Sequence, residues 1–198
     1  MTTLQVNTSL FGPGGQSTQL ANQFVARLGG KVIVRDLAKD PVPHLEAQGF
    51  QAFLASPEAR TPEQNALVAY SDQLIAELKE ADTIVIGLPM YNFSIPSTLR
   101  AYFDHIARAG VTFKYTEKGA VGLLTGKKAY VFVTRGGVYG ENHTHTAYVR
   151  QFLGFLGITD VEFIYAEGLA ISPASKENAL AKAREAIERL NHPQFALT

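Results

Sequence analysis

Apolar residues along this chain follow two rhythms that alternate from one end to the other. Short runs rich in β-branched residues, at 4–7, 31–37, 83–88, 129–134 and 161–166, read as strands. The run at 83–88 shows no polar alternation, the pattern of a strand covered on both faces. Between the runs, apolar residues recur at helical spacing. Leu20, Phe24 and Leu28 mark one face of a helix that starts near Gln16 or Ser17 and closes at Gly29-Gly30. Thr61-Pro62-Glu63-Gln64 is a capping box with proline in the first turn, and Leu67, Tyr70, Leu74 and Leu78 follow it on one face. Leu99, Tyr102, Phe103 and Ile106 place another helix at 96–109, ended by Gly110. Further helices are predicted at 146–156 and 174–190, with a short one at 46–55. Asp40-Pro-Val-Pro43 must run extended, since each proline restricts the residue before it. Residues 111–115 alternate like an exposed strand or ribbon.

Strands alternating with helices imply a parallel sheet, right-handed crossovers and helices on both faces. With five core strands, the simplest answer is an α/β flavodoxin-like three-layer sandwich, its five-stranded parallel sheet in the order 2-1-3-4-5. At 198 residues and 46% apolar the chain fills one core, so residues 1–198 are expected to form a single domain. Lys+Arg and Asp+Glu are equal at 18 each, which leaves no basic field for nucleic acid or anionic lipid. The absence of cysteine excludes disulfides, thiolate metal sites and a cysteine nucleophile. No stretch approaches the roughly 18 apolar residues of a membrane span, and no basic-then-apolar leader opens the chain. The expected compartment is the cytoplasm.

In that strand order the loops after strands one, three and four leave adjacent strand ends, where ligands of open α/β sheets bind. The first loop, residues 9–17, offers hydroxyls, glycines and the N–H groups of a helix start, with neither Lys nor Arg. Such a loop holds a phosphate through donors and the helix dipole. It lacks the Walker Gly-Lys-Ser/Thr ending and the Gly-x-Gly-x-x-Gly pattern, and a monophosphate suits it better than a triphosphate. The second loop, residues 89–94, sets Met90, Tyr91 and Phe93 beside backbone amides, as a planar ring would require. The third, Thr134-Arg135-Gly136-Gly137, pairs glycines that let backbone approach a ligand. Each loop also has a plain reading: a turn before a cap, a hydrophobic corner, a strand-to-helix turn. Their coincidence at neighbouring strand ends, in a fold whose usual cargo is FMN, favours a flavin site.

No nucleophile and base stand together. Asp104 and His105 are placed on the polar face of their helix, and Lys127-Lys128 in a solvated turn. His143-Thr-His145 lacks a third clustered ligand, so no metal is expected. Missing catalytic side chains suit a flavin enzyme, in which the cofactor carries the electrons and the protein supplies position and hydrogen bonds.

Pro89-Met-Tyr-Asn-Phe93, its continuation through Ser94-Ile-Pro-Ser-Thr-Leu-Arg-Ala-Tyr-Phe-Asp-His-Ile-Ala-Arg-Ala-Gly-Val-Thr-Phe-Lys-Tyr115, and Thr134-Arg-Gly-Gly137 resemble the FMN-dependent NADH azoreductases, also described as NADH:quinone oxidoreductases. The resemblance runs on through Phe155-Leu-Gly-Ile-Thr-Asp160 and Ala166-Glu-Gly168, and covers nearly the whole chain. It implies that Ser9, Gly15, Gln16 and Ser17 bind the FMN phosphate and ribityl chain. Met90, Tyr91, Asn92 and Phe93, with Thr134, Arg135, Gly136 and Gly137, would line the ring. It further implies one FMN per subunit of a homodimer, with the sites at the subunit interface and Phe113 and Tyr115 as an aromatic lid. Asn92 would also face the substrate. Two departures stand out: Gly15 and Thr134 occupy positions where the family commonly has serine. Gly15 removes a hydroxyl from the phosphate loop, whose loss costs about 0.5–1.5 kcal/mol.

The implied activity is ping-pong transfer of hydride from NADH or NADPH through FMN to quinones, together with reductive cleavage of aromatic azo compounds to amines. Backbone donors near Asn92 and Gly136 would stabilise charge on the reduced ring, and His143 and His145 lie in a variable loop near the substrate. The alternative is a flavodoxin-type electron carrier. Carriers of that kind dock basic partners through an acidic surface, which a chain with a formal net charge of +0 does not offer.

Overall fold

The structure is a computed structural model that describes residues 1–190. Five parallel strands form one sheet: β1 (Thr2–Asn7), β2 (Lys31–Asp36), β3 (Thr83–Pro89), β6 (Lys128–Thr134) and β7 (Asp160–Ala166). Their spatial order is β2-β1-β3-β6-β7. The core arrangement is the expected one, but the numbering changes because two strands intervene. β4 (Phe113–Thr116) and β5 (Gly119–Gly122) pair antiparallel as a separate hairpin. Sequence reading found only the first of these, because Gly119-Ala-Val-Gly122 is too short and glycine-rich to show a period.

β3 is buried at all seven positions and is the axis of the fold. Its side chains alternate between two layers. Ile84, Ile86 and Leu88 join a core with α3 (Pro62–Glu80), α4 (Ser97–Ile106) and α5 (Thr144–Leu156). Val85 faces the opposite layer, of α1 (Gln16–Leu28) and α6 (Pro173–Arg189). A short α2 (Ala47–Leu54) packs on α3. The capping box at Thr61 forms in full: Gln64 N–H donates to Thr61 Oγ1 at 3.2 Å, and Thr61 N–H donates to Gln64 Oε1 at 3.1 Å.

Two charged segments depart from expectation. His105 is 2% exposed, with Nε2 3.1 Å from the Pro43 carbonyl and its ring edge-on to Tyr70 and Phe53. Burial lowers its pKa, so it acts as a neutral core residue. Only Asp104 keeps to the polar face, paired with Arg100 at 3.3 Å. The extended stretch at 40–43 brings Pro43 over α4 and closes the face that helical periodicity left open. Lys127, expected to be solvated, donates from Nζ to the Lys79 and Ala81 carbonyls at 2.9 and 2.5 Å, and so caps the C-terminus of α3.

Candidate functional site

The site is assembled where β1, β3 and β6 end side by side, with Asn7 level with Gly87 and Pro89 level with Thr134. Gly87 sets how closely α1 approaches. A Cβ there would lie 3.1 Å from the Ser17 carbonyl oxygen and 3.3 Å from the Thr18 nitrogen, so the start of α1 rests directly on β3. Thr8 Oγ1 donates to the Gly87 carbonyl at 2.7 Å and pins the beginning of the first loop to the same strand.

Hydrogen bonds then lock the three loops together. The Tyr91 hydroxyl accepts from Leu10 N–H at 3.2 Å and lies 3.3 Å from Ser9 Oγ, joining the first loop to the second. Met90 N–H donates to the Thr134 carbonyl at 2.9 Å, joining the second to the third. A shallow groove of about 150 Å³ lies between them, lined by Ser9, Gly15, Gln16, Met90, Tyr91, Thr134, Arg135 and Gly136, with Phe11 and Leu169 at its rim. Eight of the twelve predicted cofactor residues therefore meet in one place.

This groove suits an anion on one side. α1 has no side-chain cap, and the N–H groups of Gln16, Ser17 and Thr18 donate to no backbone carbonyl, the first intrahelical bond being Gln19 to Gly15 at 2.9 Å. Its first turn holds no acidic residue. The Ser17 and Thr18 hydroxyls are buried and have no hydrogen-bond partner among the described residues. Buried hydroxyls are normally satisfied, so a ligand with acceptor oxygens would complete them. The residues present thus fit the phosphate of FMN.

On the other side the backbone is strained. Tyr91 and Ser94 exchange both hydrogen bonds at 3.0 Å across a turn whose central residues, Asn92 and Phe93, have φ of 49° and 64°. Positive φ at both centres is the type I′ pattern, which suits Asn but not Phe. Such a conformation costs on the order of 1–3 kcal/mol for a bulky residue and concentrates at functional loops. The turn leaves the Asn92 and Phe93 N–H groups without backbone acceptors and holds the Phe93 ring 65% exposed.

Arg135 lines the groove, yet its side chain is committed elsewhere. Its side chain is fully buried and points into the protein: Nη1 donates to Glu167 Oε1 at 2.8 Å and to the Gly140 carbonyl at 2.7 Å, and Nη2 donates to Thr146 at 3.2 Å. Its backbone N–H is committed to the Ala166 carbonyl at 3.0 Å. Glu167 in turn accepts from the Tyr139 and Gly140 N–H groups at 2.9 and 3.2 Å. Burial alone would raise the Glu167 pKa, but the Tyr139 amide and Arg135 outweigh it and hold the carboxyl below its usual range. This pair fixes the loop at 136–143, so that Tyr139 stands edge-on to Phe93 at 6.0 Å and to His143 at 5.2 Å. Sequence reasoning missed Glu167 as a site residue because it lies beyond β7, outside the three converging loops.

His143 caps α5, its Nδ1 accepting from His145 N–H at 3.1 Å. His145 is 2% exposed. Burial, then the charge of Arg135, pushes its pKa down to about 4; the Pro89 carbonyl pulls the other way without reaching hydrogen-bond geometry. Among the described residues no three His, Asp or Glu side chains cluster where they could hold a metal, and no helix is long and apolar enough to cross a membrane. The predicted lid pair separates in character. Phe113 is 7% exposed and packs on Phe155, while Tyr115 is 75% exposed and stands edge-on to Phe113.

Comparison with known proteins agrees with this geometry. A family model described as flavodoxin-like fold matches residues 1–190. The FMN-dependent NADH:quinone oxidoreductase of Cellvibrio japonicus (strain Ueda107) is 54% identical over 195 residues, covering 95% of this chain and 97% of its own. FMN-dependent NADH:quinone oxidoreductase 6 of Burkholderia lata is 55% identical over 193 residues, covering 94% and 98%. Among solved structures, that of the azoreductase AzrA superimposes with a TM-score of 0.86 at 31% identity, covering 95% of this chain and 98% of that one. An FMN-dependent NADH-azoreductase from Bacillus anthracis str. Ames Ancestor, solved in complex with FMN, gives a TM-score of 0.81 at 29% identity, covering 95% and 98%.

Proposed function

Because this chain belongs to the flavodoxin-like family, among its FMN-dependent NADH:quinone oxidoreductases, we propose that it binds one FMN per subunit and uses NADH, or NADPH, to reduce quinones and cleave azo compounds. When bound, FMN supplies the two-electron chemistry between nicotinamide and acceptor. The start of α1, with Ser9, Gln16 and Ser17, holds the phosphate. The turn at 91–94 and the loop of Thr134, Gly136 and Gly137 line the ring, and the free N–H groups of Asn92 and Phe93 are the donors available to charge developing there. Donor and acceptor would use the same open surface beside Met90, Tyr91 and Phe93 in turn, which is ping-pong order. A quinone needs one such exchange; an azo bond needs two to give two amines.

The exposed Tyr115 is the lid residue of this reading, reaching the site of the partner in a homodimer, with Phe113 as its support. The observation that carries the reading is the uncapped start of α1, where Gln16 lines a groove walled by Met90 and Tyr91 and the next residue, Ser17, has a buried hydroxyl with no partner among the described residues. It makes an unusual prediction. Ser17→Ala removes a hydroxyl that makes no bond in the free protein, so it leaves the melting temperature of the FMN-free chain unchanged or raised. A lost hydrogen bond to an ionised phosphate is worth about 1.5–3 kcal/mol, so FMN affinity falls roughly ten- to hundredfold. Flavin fluorescence titration measures it, and an unchanged affinity would remove the phosphate from this groove.

A further inference from the structure

β7 is an outer strand of the sheet, paired with β6 alone. Arg135 N–H donates to the Ala166 carbonyl, so in a parallel ladder the peptide groups of Glu162, Ile164 and Ala166 turn to β6 and those of Val161, Phe163 and Tyr165 point away from the sheet. Among the described residues only Arg150 meets this outer row, its Nη1 donating to the Val161 carbonyl at 3.3 Å. The backbone groups of Phe163 and Tyr165 are left free. An open edge is usually blunted by charge, proline or a bulge. Here the two acids of the strand, Asp160 and Glu162, lean back to Lys128 on β6 at 3.7 and 3.5 Å and leave the edge to aromatic rings.

Open space flanks this edge on both faces. A cleft of about 450 Å³ separates α5 from the strand, with Val161, Phe163 and Tyr165 along one wall. The Phe163 and Tyr165 rings stack there with centres 6.2 Å apart. A smaller cleft of about 330 Å³ lies on the α6 face, where Glu162 stands with Lys182 and Arg189. Charge in the larger cleft is divided between its ends. Arg150 lies 4.7 Å from the centre of the Phe163 ring and reaches toward Val161. Glu141 lies at the Tyr165 end: its carbonyl accepts from Thr146 Oγ1 at 3.1 Å, Thr146 accepts from Arg135, and the Arg135 guanidinium is 5.2 Å from the centre of the Tyr165 ring. Neither Glu141 nor Arg150 forms an ion pair among the described residues.

We propose that β7 pairs antiparallel with β7 of a second copy of this chain, about a two-fold axis at Phe163, so that the two sheets become one. In that register Phe163 faces its own copy, Val161 faces the partner's Tyr165 and Glu162 faces the partner's Ile164, and no like charges oppose each other in the ladder. The three outward residues of each strand exchange N–H and C=O bonds across the axis. The same axis carries Arg150 of each copy to the partner's Glu141. That self-complementary charge selects a second copy over an unrelated strand. The face shares no residue with the FMN groove, and it lies apart from the Tyr115 lid.

The chain has no cysteine, so introduced cysteines report the register. A hydrogen-bonded antiparallel pair sets its Cα atoms about 5.5 Å apart, within disulfide reach. In the full-length, FMN-loaded protein, Phe163→Cys is expected to cross-link to its own copy on mild oxidation. Val161→Cys, about 14 Å from its own copy in this register, does not cross-link alone but does so when mixed with Tyr165→Cys. A second measurement uses two exposed positions that leave the core untouched. In sedimentation velocity at micromolar concentration, the wild-type protein has twice the mass of Arg150→Glu, which sets carboxylates against each other across the axis. The charge exchange Arg150→Glu/Glu141→Arg restores the full mass. The halving is expected whether the Tyr115 lid makes the basic unit one chain or two, and NADH turnover per subunit stays unchanged throughout. Cross-linking at 161 equal to that at 163, no cross-link in any variant, or a wild-type mass unmoved by Arg150→Glu overturns the proposal. An edge reserved for a different protein gives the last of these results.

Discussion

Gly15 offers a sharp test of the phosphate loop. Its backbone sits at φ −69° and ψ 136°, a conformation any residue adopts, so glycine is not required there for conformational reasons. Space is the constraint. A Cβ on residue 15 would lie 2.1 Å from Ser9 Oγ and 2.5 Å from Ser9 Cβ, with the Gly12 carbonyl oxygen at 3.3 Å. The Ser9 hydroxyl can rotate away, but its Cβ moves only with the loop backbone. Gly15→Ser therefore overpacks the loop at a cost of about 1–3 kcal/mol. It also breaks the 3.3 Å contact from Ser9 to the Tyr91 hydroxyl that ties the first loop to the second. The melting temperature of the FMN-free protein should fall by roughly 3–10 °C, and FMN affinity by about five- to thirtyfold. Ser9→Gly removes the obstruction, so the double variant Ser9→Gly/Gly15→Ser recovers most of the lost stability, while FMN affinity, which also draws on the Ser9 hydroxyl, recovers only in part. Its coupling energy is of the order of 1–2 kcal/mol in a double-mutant cycle read by thermal melts and flavin fluorescence. If Gly15→Ser alone binds FMN more tightly with an unchanged melt, steric exchange between positions 9 and 15 is wrong and Gly15 is simply a lost hydroxyl.

Glu167→Gln breaks a pair whose arginine is fully buried and loosens the loop carrying Tyr139. It should cost about 2–4 kcal/mol, seen in chemical denaturation; because the folded carboxyl titrates below its usual range, that contribution is present above the unfolded pKa of about 4.3 and is lost as pH falls through the folded value. His145, at about 4 when folded against about 6.5 unfolded, refuses a proton that the unfolded chain accepts. Stability should therefore fall by up to about 3 kcal/mol between pH 6.5 and 4, and His145→Gln should flatten that part of the pH profile; an identical profile in the variant contradicts the burial argument. Phe93→Gly relieves a positive φ on a largely exposed side chain. It should leave folding stability unchanged or raise it by about 1 kcal/mol while lowering quinone turnover, and a variant that loses stability without losing turnover would make the turn a structural corner only.

The core of the fold was legible in the sequence because β-branched runs and helical spacing are local signals, and the capping box at Thr61 marked α3 from four residues. The three converging loops were legible for the same reason, since strand order follows from the alternation of elements. What escaped depended on contacts distant in sequence. His105 reads as polar on the α4 helix but is sealed by Pro43, 62 residues away, and the side chain of Arg135, a residue that lines the groove, is held inward by Glu167, 32 residues away. The β5 strand is four residues with glycine at both ends, and its partner β4, not its own composition, makes it a strand. The relation of Gly15 to Ser9 is a matter of side-chain clearance between two loop positions, which no residue pattern carries.

The central claim is that the three-loop groove binds FMN for two-electron reduction by a nicotinamide. The most direct measurement is the anaerobic visible spectrum of the purified protein with FMN, taken before NADH, after NADH, and after one addition of benzoquinone. The account predicts loss of the oxidised flavin bands with NADH and their full return with one equivalent of quinone, without a stable semiquinone. Flavin that binds but is not bleached by NADH or NADPH, or that stops at a semiquinone, would contradict it and make the chain an electron carrier.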